Sequence, residues 1–89
     1  MIRDKEDWAL ALYIWASGNT VTVNDYDDAI FELIHVATQK DRFIIAQIYP
    51  IAVEVYLQCS QARTKEAFYN MFPKIRALMK RGGNRIITL

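Results

Sequence analysis

The sequence predicts a mainly α chain, a compact bundle of about four helices, with a short two-stranded β ribbon of residues 19–23 and 84–89 as an optional addition. Three observations carry this. Apolar residues recur at steps of three and four through residues 26–37 and 68–79; helix-capping Thr, Asn and Asp stand ahead of these runs; and Gly and Pro divide the chain where the periodicity stops. With 89 residues the chain forms a single domain, residues 1–89, of a size that buries only about 60–65% of the surface its unfolded chain exposes. Yet 53% of the residues are hydrophobic, so either the core is dense or apolar side chains are left for a partner.

The first helix spans residues 4–17. Asp4, Glu6 and Asp7 open it, and "SGN" closes it with Gly18 able to take a left-handed conformation beyond the end. Its body, "WALALYIWA", holds no charged or amide side chain. A helical wheel gives Trp8, Ala11, Leu12 and Trp15 to the core and turns Leu10, Tyr13 and Ile14 the other way. A helix that is apolar all round is normally surrounded by protein. In so small a domain that is hard to achieve, so Leu10, Tyr13 and Ile14 are the expected partner-binding residues. The competing explanation is a central helix covered on its back by the tail "RIITL". The "NTVTV" that follows alternates as a short strand does.

The second helix starts within "TVNDYDD", where Thr22, Asn24 or Asp25 can cap and Asp27 and Asp28 complement the dipole. Tyr26, Ala29, Ile30, Leu33, Ile34 and Ala37 are the expected core stripe, with Asp28, Glu32, His35 and Gln39 opposite. In "DRFIIAQIYPIAVEVYLQCSQ" the residues Ile51, Val53, Val55 and Leu57 alternate like a strand. However, Gln47, Pro50, Glu54, Gln58 and Gln61 fall on one helical stripe, and period decides for a helix that Pro50 kinks or restarts. In the last segment Thr64 caps, and Phe68, Met71, Phe72, Ile75, Leu78 and Met79 form one apolar face. Pro73 sits on the wet side, and Gly82 and Gly83 end the helix.

Little here points to chemistry. His35 lies on a polar helical stripe with Asp28 and Glu32, and a metal or catalytic role would need ligands from another element. Cys59, the only cysteine, has apolar neighbours and reads as a buried structural thiol. The cluster "NDYDD" fails as a calcium loop, because its sixth and twelfth positions are Ile30 and Val36 instead of Gly and Glu. "RGGN" lacks the strand and Lys-Ser/Thr of a phosphate cradle. The expectation is therefore no enzyme, no cofactor, no metal and no evident small-molecule substrate.

The net charge is +1, but residues 1–32 hold seven acids and two bases while residues 63–89 hold seven bases and one acid. Helix dipoles, or the two ends facing each other, explain the split. Arg63, Lys65, Lys74, Arg76, Lys80, Arg81 and Arg85 are the candidates for nucleic-acid contact, although no aromatic is interleaved among them for base stacking. The apolar region 43–57 is interrupted and falls short of the ~20 residues of a membrane span. Basic and acidic residues alternate at the N-terminus without a cleavage signature, so no leader is expected, and the lone cysteine fits a reducing cytoplasm.

The expected function is a non-enzymatic interaction module: a regulator, adaptor or stoichiometric inhibitor that binds a protein surface, self-associating as a homodimer. A small nucleic-acid-binding regulator that uses the fourth helix is the alternative.

Overall fold

The computed structural model describes residues 3–17 and 25–80. It holds six helices and, among the described residues, no strand: α1 Lys5–Ala16, α2 Asp25–Val36, α3 Gln39–Ile48, α4 Pro50–Gln61, α5 Lys65–Tyr69 and α6 Pro73–Lys80. The mainly helical expectation holds. The expected ribbon of 19–23 and 84–89, and the helix stop at Gly82 and Gly83, lie outside the described residues.

Proline accounts for the extra helices. Each of the two long expected helices restarts at a proline in the first position of a new helix, where its missing N–H costs nothing. The residue before Pro50, Tyr49, is driven out of the helical region to φ −125° and ψ 65°. Its own N–H still closes α3 on the Ile45 carbonyl at 2.8 Å. Ahead of Pro73, Met71 and Phe72 bond back to Phe68 and Tyr69 in a tight turn. That turn breaks the expected continuous face of the fourth segment, and Met71 is left out in solvent.

Side-chain caps fix the starts. The Asp4 carboxylate accepts from the Asp7 N–H at 2.8 Å, Thr38 from Asp41 at 3.2 Å and Thr64 from Ala67 at 3.0 Å, each satisfying one of the orphan donors of a first turn. The end of α2 is capped from a distance in sequence. Arg42 donates through Nε to the Ile34 carbonyl at 2.8 Å and through a terminal nitrogen to the His35 carbonyl at 3.2 Å, placing a cation at the negative end of the helix dipole.

Helix α1 is the centre of the fold, packed by α2, α4 and α6. Ala9 and Leu12 are buried in it, against Phe31, Ile34, Val55 and Ile75 from the surrounding helices. Trp8 stands edge-on to Phe31 and to Tyr49, with ring centroids 5.9 Å apart in both pairs, the geometry aromatic quadrupoles prefer. The Arg3 guanidinium covers the Trp8 ring 4.8 Å from its centroid. It also pairs with Asp27, which is only 8% exposed.

That pair explains why α2 is rotated from the expected stripe. Ile30 and Ile34 are buried as expected, but Asp27 and Phe31 join them while Tyr26 and Leu33 face outward. A carboxylate can sit inside because Arg3 neutralises it, and Phe31 then fills the space between Trp8 and Trp15. The stripe of Gln47, Pro50, Glu54, Gln58 and Gln61 is exposed throughout, and Cys59 is buried.

Candidate docking surface

Surplus apolar surface lies on α2 and α3. Tyr26 (57% exposed), Leu33 (54%) and Val36 (66%) line the open side of α2, and Phe43 (73%), Ile44 (51%) and Ile48 (70%) stand on α3. The α2 residues, with the exposed Ala29 between them, are spaced three, four and three, the seam of a heptad. Helix α3 contributes no fully buried residue. It is held by α4, and among the described residues Phe43, Ile44 and Ile48 stay more than half exposed.

The stripes of α2 and α3 meet at one end, where Tyr26, Ile48 and Tyr49 line a groove of about 410 Å³; the Tyr26 and Tyr49 rings are 6.2 Å apart. At the other end the Arg42 cap ties α3 to the last turn of α2. Phe43 faces a second groove of about 470 Å³ between α3 and α4, with Leu57 across it.

Of the residues expected to bind a partner, Leu10 and Ile14 stay together on α1, away from the open side of α2 and α3, while Tyr13 is separated from them by burial. Tyr13 is 9% exposed, its ring edge-on to Tyr69 at 4.9 Å. The wheel turned it outward, but α1 is central and α5, not visible as a separate element in the sequence, supplies the ring that covers it. Leu10 and Ile14 are half-buried and line a shallow groove with Arg3, Asp7, Ala11 and Asp27.

The basic residues are dispersed as well. Lys74 is turned to α1: its ammonium is 3.1 Å from the Asp7 carboxylate, and its backbone N–H donates to Glu6 at 3.0 Å. That hydrogen-bonded contact holds the Asp7 carboxyl below its ordinary value and the Lys74 ammonium above its own. The first turns of α1 and α6 thus meet in the fold through Lys74. Arg63, Lys65 and Arg76 are exposed on separate elements. Arg81, Arg85 and the side chain of Lys80 lie outside the described residues.

His35 is exposed and its Nδ1 lies 2.8 Å from the Tyr56 hydroxyl, with the Trp15 ring 5.5 Å away. Among the described residues no set of three His, Cys, Asp or Glu side chains is placed to hold a metal ion, and no helix is long and apolar enough to cross a membrane.

The chain matches no protein-family model, no curated protein and no solved structure.

The sequence did hold a signal for the α2 face. Tyr26, Ala29, Leu33 and Val36 keep a heptad spacing, but Ile30 and Ile34 compete with them for the core, and the buried Phe31 and the Arg3–Asp27 pair accompany the rotation that leaves them out. For α3 the signal was plainer, since Phe43, Ile44 and Ile48 surround a helix too short to bury all its sides.

Proposed function

We propose that this protein is a non-enzymatic interaction module that works by occupying a surface, and that its docking face is the open side of α2 and α3 with a second copy of the chain as the occupant. The observation that carries the reading is the set of six large apolar side chains, each more than half exposed, on two neighbouring helices. Side chains of this size in that state present on the order of 100 Å² each, so together about 600 Å². That is at the top of what a soluble monomer leaves open and close to the ~800 Å² per partner of a standard interface.

The spacing supports self-pairing. A seam at 26, 29, 33 and 36 is self-complementary when two copies of α2 run antiparallel about a two-fold axis, the commonest symmetry of homo-oligomers. Position 29 then opposes position 33 of the other copy, so the small Ala29 receives Leu33. Glu32, beside the seam, is drawn toward α1 by the Trp15 indole N–H at 3.3 Å.

Cysteine pairing tests this geometry. A mixture of Ala29→Cys and Leu33→Cys chains should cross-link across the interface faster than either variant alone. A Met71→Cys control, exposed but off the face, should stay uncross-linked. Equal cross-linking of all three would remove the reading. For nucleic-acid contact through α6, the alternative, Lys74 is already engaged with Asp7 and Glu6, and Arg63 and Lys65 lie outside that helix.

A further inference from the structure

A cavity of about 320 Å³ opens between the ends of α1 and α2 and the facing sides of α4 and α5, walled by Trp15, His35, Tyr56 and Tyr69, with Lys65 at its rim. We propose that it binds a small aromatic carboxylate: one or two rings against Trp15 and Tyr56, with the acid group held by Lys65 and the Tyr69 hydroxyl. The proposal is independent of the α2–α3 docking face.

Size sets the first limit. About 320 Å³ lies at the lower end of the ~300–1,000 Å³ range of small-molecule sites. A ring system with a short acid arm fits with room to spare, and a nucleoside triphosphate does not.

The walls are preset. Trp15, His35 and Tyr56 lie 5.5–6.4 Å from one another, centroid to centroid. Each is tied down: the Trp15 indole N–H to Glu32, the Tyr56 hydroxyl to His35. The Arg42 guanidinium lies 5.2 Å from the centre of the Tyr56 ring. Rings already fixed lose little freedom when a flat ligand stacks on them.

Two donors give the acid its place. Lys65 and Tyr69 are four residues apart on α5, and therefore on one face of the helix. Lys65 is exposed and forms no ion pair among the described residues. Tyr69 is 5% exposed, and its hydroxyl has as its partner among the described residues only the Cys59 thiol, 3.8 Å away. Sulfur is a weak partner, and a buried hydroxyl without an oxygen or nitrogen to bond carries an unmet cost. A carboxylate oxygen reaching Tyr69 would meet it.

Charge chooses between an acid and a cation. An aromatic enclosure can hold a quaternary ammonium, but Lys65 at the rim and Arg42 beside Tyr56 bring positive charge. No acid is among the described residues that line the cavity, and Glu32 accepts the Trp15 indole N–H. The site is therefore matched to an anion.

The test uses the full chain with phenylacetate and indole-3-acetate as acid probes and their neutral amides as controls, followed by amide chemical shifts in a nitrogen-15 NMR titration. At least one acid should bind saturably with a Kd below about 10 mM, the range expected of so small a ligand, and shift residues at the end of α1, in the second half of α4 and in α5. The matching amide should bind about tenfold more weakly or not at all. Lys65→Gln, at an exposed position, should weaken the acid about tenfold and leave the amide unchanged, and Lys65→Arg should restore most of the loss. Binding of neither acid, equal binding of acid and amide, indifference to Lys65→Gln, or shifts confined to other elements would each overturn the proposal.

Discussion

Lys74 reaches across 67 positions of sequence to place its ammonium 3.1 Å from the Asp7 carboxylate, joining the first turn of α6 to the first turn of α1. One cation of the basic C-terminal third is thereby paired with a carboxylate of the acidic N-terminal third.

The contact makes a small, two-sided pH dependence. Asp7 is held below its ordinary 3.8 by the hydrogen bond from Lys74, so its share of stability is present above that value and is lost as pH falls through its lowered pKa. Lys74 is held above its ordinary 10.5, and its share is present below that value and lost as pH rises through its raised pKa. Both groups are exposed, so solvent screens the effect. Thermal melts of wild type and Lys74→Gln should differ slightly near neutrality and converge at both extremes. A constant gap across the whole range would contradict the pairing.

Arg3 and Asp27 carry more. Arg3→Ala removes the partner of a nearly buried carboxylate and uncovers Trp8, and it should cost about 2–3 kcal/mol in urea unfolding at neutral pH. Asp27→Asn, which leaves no charge to strand, should cost less. The reverse order would mean that the rotation of α2 has another cause.

On α1, two neighbouring apolar positions should behave differently. Tyr13→Glu buries a carboxylate beside Tyr69 and should cost about 3 kcal/mol or more, enough to unfold much of the population. Leu10→Glu, at a half-buried groove, should cost about 1 kcal/mol. Circular dichroism with denaturant titration separates them.

Tyr69 predicts an alkaline weakness. Burial, reinforced by the adjacent Cys59 thiol, holds its phenol well above the ordinary 10.0. Its share of stability is present below that pH and is lost as pH rises further, because the unfolded chain ionises first. Tyr69→Phe should change stability by less than about 1 kcal/mol in either direction at neutral pH, where it trades a weak thiol contact against an unmet hydroxyl, and should flatten the decline above pH 10. An unchanged slope would place the alkaline loss elsewhere.

The elements were legible where local signals agree. Asp4 and Thr64 carry the helix-start signal in the residues that follow them, and one polar stripe through Gln47, Glu54 and Gln61 marks the wet side of α3 and α4. What was not legible depends on partners remote in sequence. Arg3 lies 24 positions from Asp27 and sets which side of α2 is buried. Tyr69 covers Tyr13 from α5, so an apolar wheel alone could not separate an interface from a centre. Arg42 caps α2 from within α3, with no signal in α2 itself. The candidate surface was therefore expected on α1, although the surplus of apolar residues that prompted the expectation is present on α2 and α3.

The most direct test of that surface is the molar mass of the purified chain by size exclusion with light scattering, run on wild type, Leu33→Glu and Ile48→Glu with circular dichroism on the same fractions. The account predicts that wild type elutes with the mass of two 10.4 kDa chains and that each variant elutes as a single chain with unchanged helicity. A wild type that stays monomeric at high micromolar concentration, or a dimer that survives both substitutions, would contradict it.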